Sequence, residues 1–133
     1  MISISRRFPA SLESVPQARE WVAAELSSLP SDVLNPALLM VSELSTNALI
    51  HAGTSFEVQI EHSERELTIT VRDTGPGVPT LRNPQPSEAH GRGLKIVTAL
   101  SNRWDVVDFG DRGKAVWFSL GVEPLPPAFL LGA

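Results

Sequence analysis

The chain has 133 residues and a formal net charge of −4, the size of one domain with room for a core that buries roughly two-thirds of its unfolded surface. Cysteine is absent, which excludes disulfides and cysteine-held zinc and suits a cytoplasmic location; the acidic balance argues against general nucleic-acid binding. Hydrophobic residues make up 42%, with no apolar run expected to span a bilayer, and in "MISISRRFPA" the basic pair follows the apolar residues, unlike a signal peptide.

Ile2 to Phe8 alternates and reads as a short strand. Ser14 and Gln17 have the spacing of a capping box, with Pro16 in the first turn of a helix. That helix sets Val15, Ala18, Val22, Leu26 and Leu29 on one face. After "SLPS" a second helix is predicted from Asn35 as N-cap, with Pro36 behind it, to about Ala52, where Gly53 stops it. Phe56, Val58 and Ile60 alternate with Glu57, Gln59 and Glu61. Leu67, Ile69 and Val71 alternate with Thr68, Thr70 and Arg72. These predict two strands, each with one buried face, joined at Ser63-Glu64.

A loop without periodicity follows, "DTGPGVPTLRNPQPSEAHGRG", with four Gly and four Pro. Loops this long are uncommon and usually functional. The spacing predicts a helix from Leu94 to about Leu100, then strands Trp104 to Phe109 and Lys114 to Leu120 around the turn Gly110-Asp111-Arg112-Gly113. Residues 1–121 form the predicted domain, and 122–133 a Pro-rich tail. Strands joined by hairpins predict a two-layer α/β sandwich, a mostly antiparallel sheet with helices on one face.

The second helix carries the chemistry. Ala37, Val41, Leu44 and Ala48 centre its apolar face, and Glu43, Asn47 and His51 make a polar stripe beside it. A buried carboxylate needs a partner, so the stripe reads either as a solvent-facing edge or as a cleft wall. In a cleft, Glu43 supplies a base, and Asn47 a neutral oxygen suited to Mg²⁺. His51 lies in the last turn, where an imidazole suits the helix dipole, and reads as structural.

Two glycine clusters follow. In "DTGPG", Asp73 closes a strand and Gly75 and Gly77 free the backbone for a close turn. In "HGRGLKIV", Gly91 and Gly93 are read as opening a helix whose N–H groups would face an anion. Ile96 replaces the third glycine of the dinucleotide fingerprint, and no P-loop is present.

The ordered set is E-x-x-x-N on a helix, D-x-G-x-G after a strand, G-x-G-L at a helix and G-K before the last strand. It resembles the Bergerat-fold (GHKL) ATPases, the group of DNA gyrase and sensor histidine kinases, over nearly the whole chain to Leu120. Within that group "VSELSTNALIHAG", "GRGLKIV" and "GKAVWF" resemble the small bacterial anti-sigma-factor serine/threonine kinases. The resemblance implies ATP and Mg²⁺ as cofactors. It implies Glu43 as general base, Asn47 as the Mg²⁺ ligand, and Asp73 as acceptor of the adenine amino group, with Gly75 letting the ring approach. Gly77 would hinge a lid over residues 78–90, and Gly91, Arg92, Gly93 and Leu94 would border the phosphates. Three places depart from the pattern, the first being Asp105 after Trp104, where a Gly is common. Ala115 stands where Thr or Ser is common beside the adenine-binding Asp, and Ala89 and His90 stand where some relatives carry an Arg, leaving Arg92 as the nearest substitute.

The implied function is an anti-sigma factor that phosphorylates a Ser or Thr of an anti-anti-sigma (STAS-type) partner and sequesters a sigma factor, with a homodimer permitted by an open sheet edge. The alternatives are a regulatory module that holds ATP with little transfer, or a detached histidine-kinase catalytic domain. The last ranks lower because no phosphoacceptor helix pair precedes the domain. Neither a nucleic acid nor a membrane is an expected partner.

Overall fold

The computed structural model describes residues 2–75 and 86–122, the stretch 86–92 by its backbone alone. Gly77, residues 78–85 of the expected lid, and the tail beyond Val122 lie outside these residues.

The chain runs β1 (Ile2–Phe8), α1 (Ser14–Glu25), α2 (Ser31–Asn47), a π turn (Ala48–Ala52), β2 (Phe56–His62), β3 (Glu66–Asp73), α3 (Pro86–Leu100), β4 (Arg103–Asp108), a 3₁₀ turn (Gly110–Arg112) and β5 (Lys114–Gly121). The strands form one sheet in the order β1-β2-β3-β5-β4. Every neighbouring pair is antiparallel. This is the expected two-layer α/β sandwich.

Period-two patterning sets the layers. Ile4, Ile60, Ile69, Phe118 and Trp104 lie in register across all five strands, and Val58, Val71, Val116 and Val106 form the next row. The helices cover this face: α2 packs on β3 and β5, with α1 and α3 against α2. Phe8, Phe56, Phe118, Met40, Val41 and Ile69 are fully buried between the layers. The Phe8 and Phe56 rings stack at 5.6 Å, and Trp21 of α1 meets Phe8 edge-on at 6.1 Å. On the other face a 2.8 Å ion pair from Arg103 on β4 to Glu66 on β3 reaches across β5.

Three helix starts differ from expectation. The capping box at Ser14 does not form. A turn at Pro9–Ser11 brings the Pro9 carbonyl within 2.6 Å of the Ser14 hydroxyl, which donates to it instead. Glu13 occupies the N-cap position without a side-chain cap bond. The second helix begins at Ser31, not at Asn35, because the extended Pro30 offers its carbonyl to the Val33 and Leu34 N–H groups at 3.0 and 2.9 Å. Pro36 then sits inside the helix and forgoes one hydrogen bond, while buried Ala37, Leu38, Met40, Val41 and Leu44 hold the segment in place. The third helix begins at Pro86 rather than Leu94. Proline is well suited to a first helical position, and it absorbs residues 86–90 of the expected lid into α3.

The continuous helix Ser31–Ala52 has 22 residues and a mean hydropathy of 1.3 in its most apolar stretch, long and apolar enough to cross a membrane, contrary to expectation. Half of that stretch is buried inside the protein, where it serves as the core helix of the sandwich.

Candidate functional site

The alternation of β3 places Leu67, Ile69 and Val71 inward, and Asp73 is the next residue on that side. A carboxylate thus stands where an apolar residue is expected, and it is only 4% exposed. Its Oδ1 accepts the Gly75 N–H and the Lys114 N–H, both at 3.1 Å. Its Oδ2 lies 3.6 Å from the Lys114 ammonium. These contacts offset the cost of burying the charge.

Two glycines make this arrangement possible. A Cβ at Gly75 would lie 2.9 Å from the Gly113 Cα. A Cβ at Gly113 would overlap Asp73 Oδ1, and Gly113 has φ 95, a region that L side chains rarely enter. Gly75 therefore brings the end of β3 against the start of β5 and gives its N–H to the carboxylate.

Above Asp73 lies a cavity of about 240 Å³. Leu44, Asn47 and Ala48 wall it from α2 and the π turn, Val71 and Asp73 from β3, and Leu94 from α3. Val106 of β4 and Lys114 and Val116 of β5 complete it. It is smaller than the roughly 300–1,000 Å³ of pockets that enclose a whole drug-sized ligand. It suits one flat, mostly apolar part of a larger molecule, with a buried acceptor at its end.

Asn47 is half-buried on the wall formed by α2. Gly93 of α3 packs directly on it: a Cβ there would overlap Asn47 Nδ2. Gly91 and Gly93 do not open α3, which starts at Pro86, so the anion site expected at a helix start does not fall on these residues. Gly93 instead lets two helices meet at Asn47. Among the described residues no cluster of three His, Cys, Asp or Glu could hold a metal alone. The single neutral oxygen of Asn47 fits a Mg²⁺ that takes its other ligands from phosphate and water.

Glu43 stands one turn before Asn47, half-buried, and is not among the residues lining the cavity. The expected stripe also splits after Asn47. The π turn at Ala48–Ala52 needs more residues per turn than an α-helix, which swings His51 out of line with Asn47. His51 lines a second, more polar cavity of about 160 Å³ that shares Asp73 and Lys114 with the first and reaches Asp108 and Gly110. So His51, taken for a purely structural residue, borders the site. Lys114 was passed over as a site residue, although its alternation with Val116 and Phe118 places it inward, on the side of Asp73. The same alternation puts Ala115 on the opposite face, in register with Arg72. The support a hydroxyl there would have given to Asp73 comes from Lys114 instead.

No curated protein sequence matches the chain. The sequence model of the histidine kinase-like ATPase domain matches residues 8–120, from the last residue of β1 into β5, and so spans Glu43, Asn47, Asp73 and both glycine clusters. With its all-antiparallel sheet, its covering helices and a buried carboxylate at the end of an apolar cavity, the chain belongs to the histidine kinase-like ATPase domain family.

Proposed function

We propose that this domain binds ATP with its adenine in the cavity above Asp73, and transfers the terminal phosphate to a Ser or Thr of a partner protein. The observation that carries the reading is Asp73. A buried carboxylate with Oδ1 engaged by two backbone N–H groups leaves Oδ2 to accept an exocyclic amine. Asn47 on the facing wall would hold Mg²⁺, and the phosphates would leave the cavity past Asn47, where Gly93 keeps α3 close. Bound Mg²⁺ supplies charge compensation for the transferring phosphate. Glu43 would take the proton of the attacking hydroxyl.

The motif resemblance supports an anti-anti-sigma protein as the acceptor and a sigma factor as the second partner. Phosphorylation adds roughly −1.5 to −2 charges; placed beside Glu43 and the ADP left behind, that charge would expel the modified partner and free this protein for its sigma factor. The second reading, an ATP-holding module with little transfer, is supported by Ala89 and His90, which stand where some relatives carry a phosphate-reaching Arg.

The test incubates the protein with ATP, Mg²⁺ and an anti-anti-sigma protein encoded beside it, followed by mass spectrometry. One acid-stable phosphate on a partner Ser or Thr is expected, abolished by Glu43→Ala while ATP binding persists. An acid-labile phosphohistidine would indicate a histidine kinase. ATP binding with no phosphate on any partner would leave the regulatory module.

A further inference from the structure

We propose that Lys114 is a second base-reading group of this site, donating from its ammonium to ring nitrogen N1 of the adenine whose amino group Asp73 accepts. The inference rests on the ATP reading and adds a residue to it. Asp73 Oδ1 already takes two backbone N–H groups, which fills its two lone-pair positions. Only Oδ2 is left for a ligand. The Lys114 Nζ lies 3.6 Å from that oxygen, beyond hydrogen-bond length, so the two form an ion pair while the ammonium donors stay available.

Lys114 lines both cavities that meet at Asp73, and its side chain is 32% exposed. Among the described residues the other polar side chains of the larger cavity are Asn47 and Asp73. Asn47 packs against Gly93 of α3. Lys114 is therefore the side-chain donor placed beside the reading carboxylate.

The pair presents an acceptor and a donor next to each other, the complement of the adenine edge with its amino donor and adjacent N1 acceptor. A carboxylate alone would leave the N1 lone pair facing negative charge. The ammonium removes that repulsion and adds a charge-assisted bond.

Calorimetry with ATP, with 1-deaza-ATP (a C–H in place of N1) and with the 6-unsubstituted purine analogue, on the parent and on Lys114→Met, tests this. The parent should bind ATP roughly tenfold tighter than 1-deaza-ATP, the size of one hydrogen bond to a charged group. In Lys114→Met that preference should fall to within about twofold, while the preference for the 6-amino group persists. Equal binding of ATP and 1-deaza-ATP by the parent would overturn the assignment without needing any variant to fold. So would an unchanged N1 preference in Lys114→Met, which would make the lysine only a countercharge. Failure of the parent to bind any of the three nucleotides would instead overturn the ATP reading itself.

Discussion

At the residue scale Asp73 has two parts, closing the core and, in the proposed reading, accepting the adenine amine. Asp73→Asn keeps the shape but removes the charge, and its amide turns a donor either toward the adenine amine or toward the two backbone N–H groups that Oδ1 accepts. Loss of one charge-assisted bond in a dry pocket costs about 1.5–3 kcal/mol, so calorimetry should show ATP affinity reduced at least about tenfold; unchanged affinity would remove Asp73 from the adenine site. The glycines that frame it separate two effects. Gly110 has φ 64 with nothing within 4 Å of a Cβ, whereas Gly113 has φ 95 and a Cβ would strike Asp73. Gly110→Ala should cost about 1–2 kcal/mol in urea unfolding, from the left-handed backbone alone. Gly113→Ala should cost more than that, and weaken ATP as well, since backbone strain of about 1–3 kcal/mol is joined by a steric clash. Asp73 was legible because an acidic residue ended an alternating strand just before two glycines. Ser14 was misread because its true acceptor, the Pro9 carbonyl, arrives through a turn that no capping pattern encodes.

At the scale of elements, α2 and α3 meet at Asn47, the proposed metal ligand. Gly93→Ala would insert a methyl group against Asn47 Nδ2, and overpacking of this kind costs about 1–3 kcal/mol. Relief by sliding α3 away would move Leu94 from the cavity, so the variant should lose Mg²⁺-dependent ATP binding even where urea unfolding shows it folded. ATP affinity and Mg²⁺ dependence equal to the parent would show that the helices do not need this close approach. The strands were legible almost to the residue, because alternation between a covered and an open face survives in the composition of each one. The helix starts were not. Pro30 and Pro86 each looked like a break, yet each stands at the threshold of a helix, where a missing N–H costs nothing. The π turn after Asn47 has no sequence signature, so a polar stripe drawn at 100° per residue carried His51 into the wrong company.

The whole molecule offers a coarser check. A ligand that binds only the folded state stabilises it by about 2.7 kcal/mol at one hundred times its dissociation constant. ATP should therefore raise the thermal midpoint in a concentration-dependent way, and Asp73→Asn should blunt the rise; a midpoint indifferent to ATP would contradict the site. The sheet order adds a consequence in time. β5 is the last of the described strands but lies inside the sheet, between β3 and β4. Asp73 and the Lys114 amide that binds it are 41 positions apart. A ribosome thus releases the carboxylate well before its ammonium and its glycine neighbour. Until they emerge, β3 has one unpaired edge, β4 lacks the strand it pairs with, and the cavity lacks its Lys114 and Val116 wall. A translation product halted before residue 114 holds, among the described residues, the sequence of three helices and four strands but not the last wall of the cavity, so the proposed nucleotide site is completed in one late step of synthesis rather than by degrees.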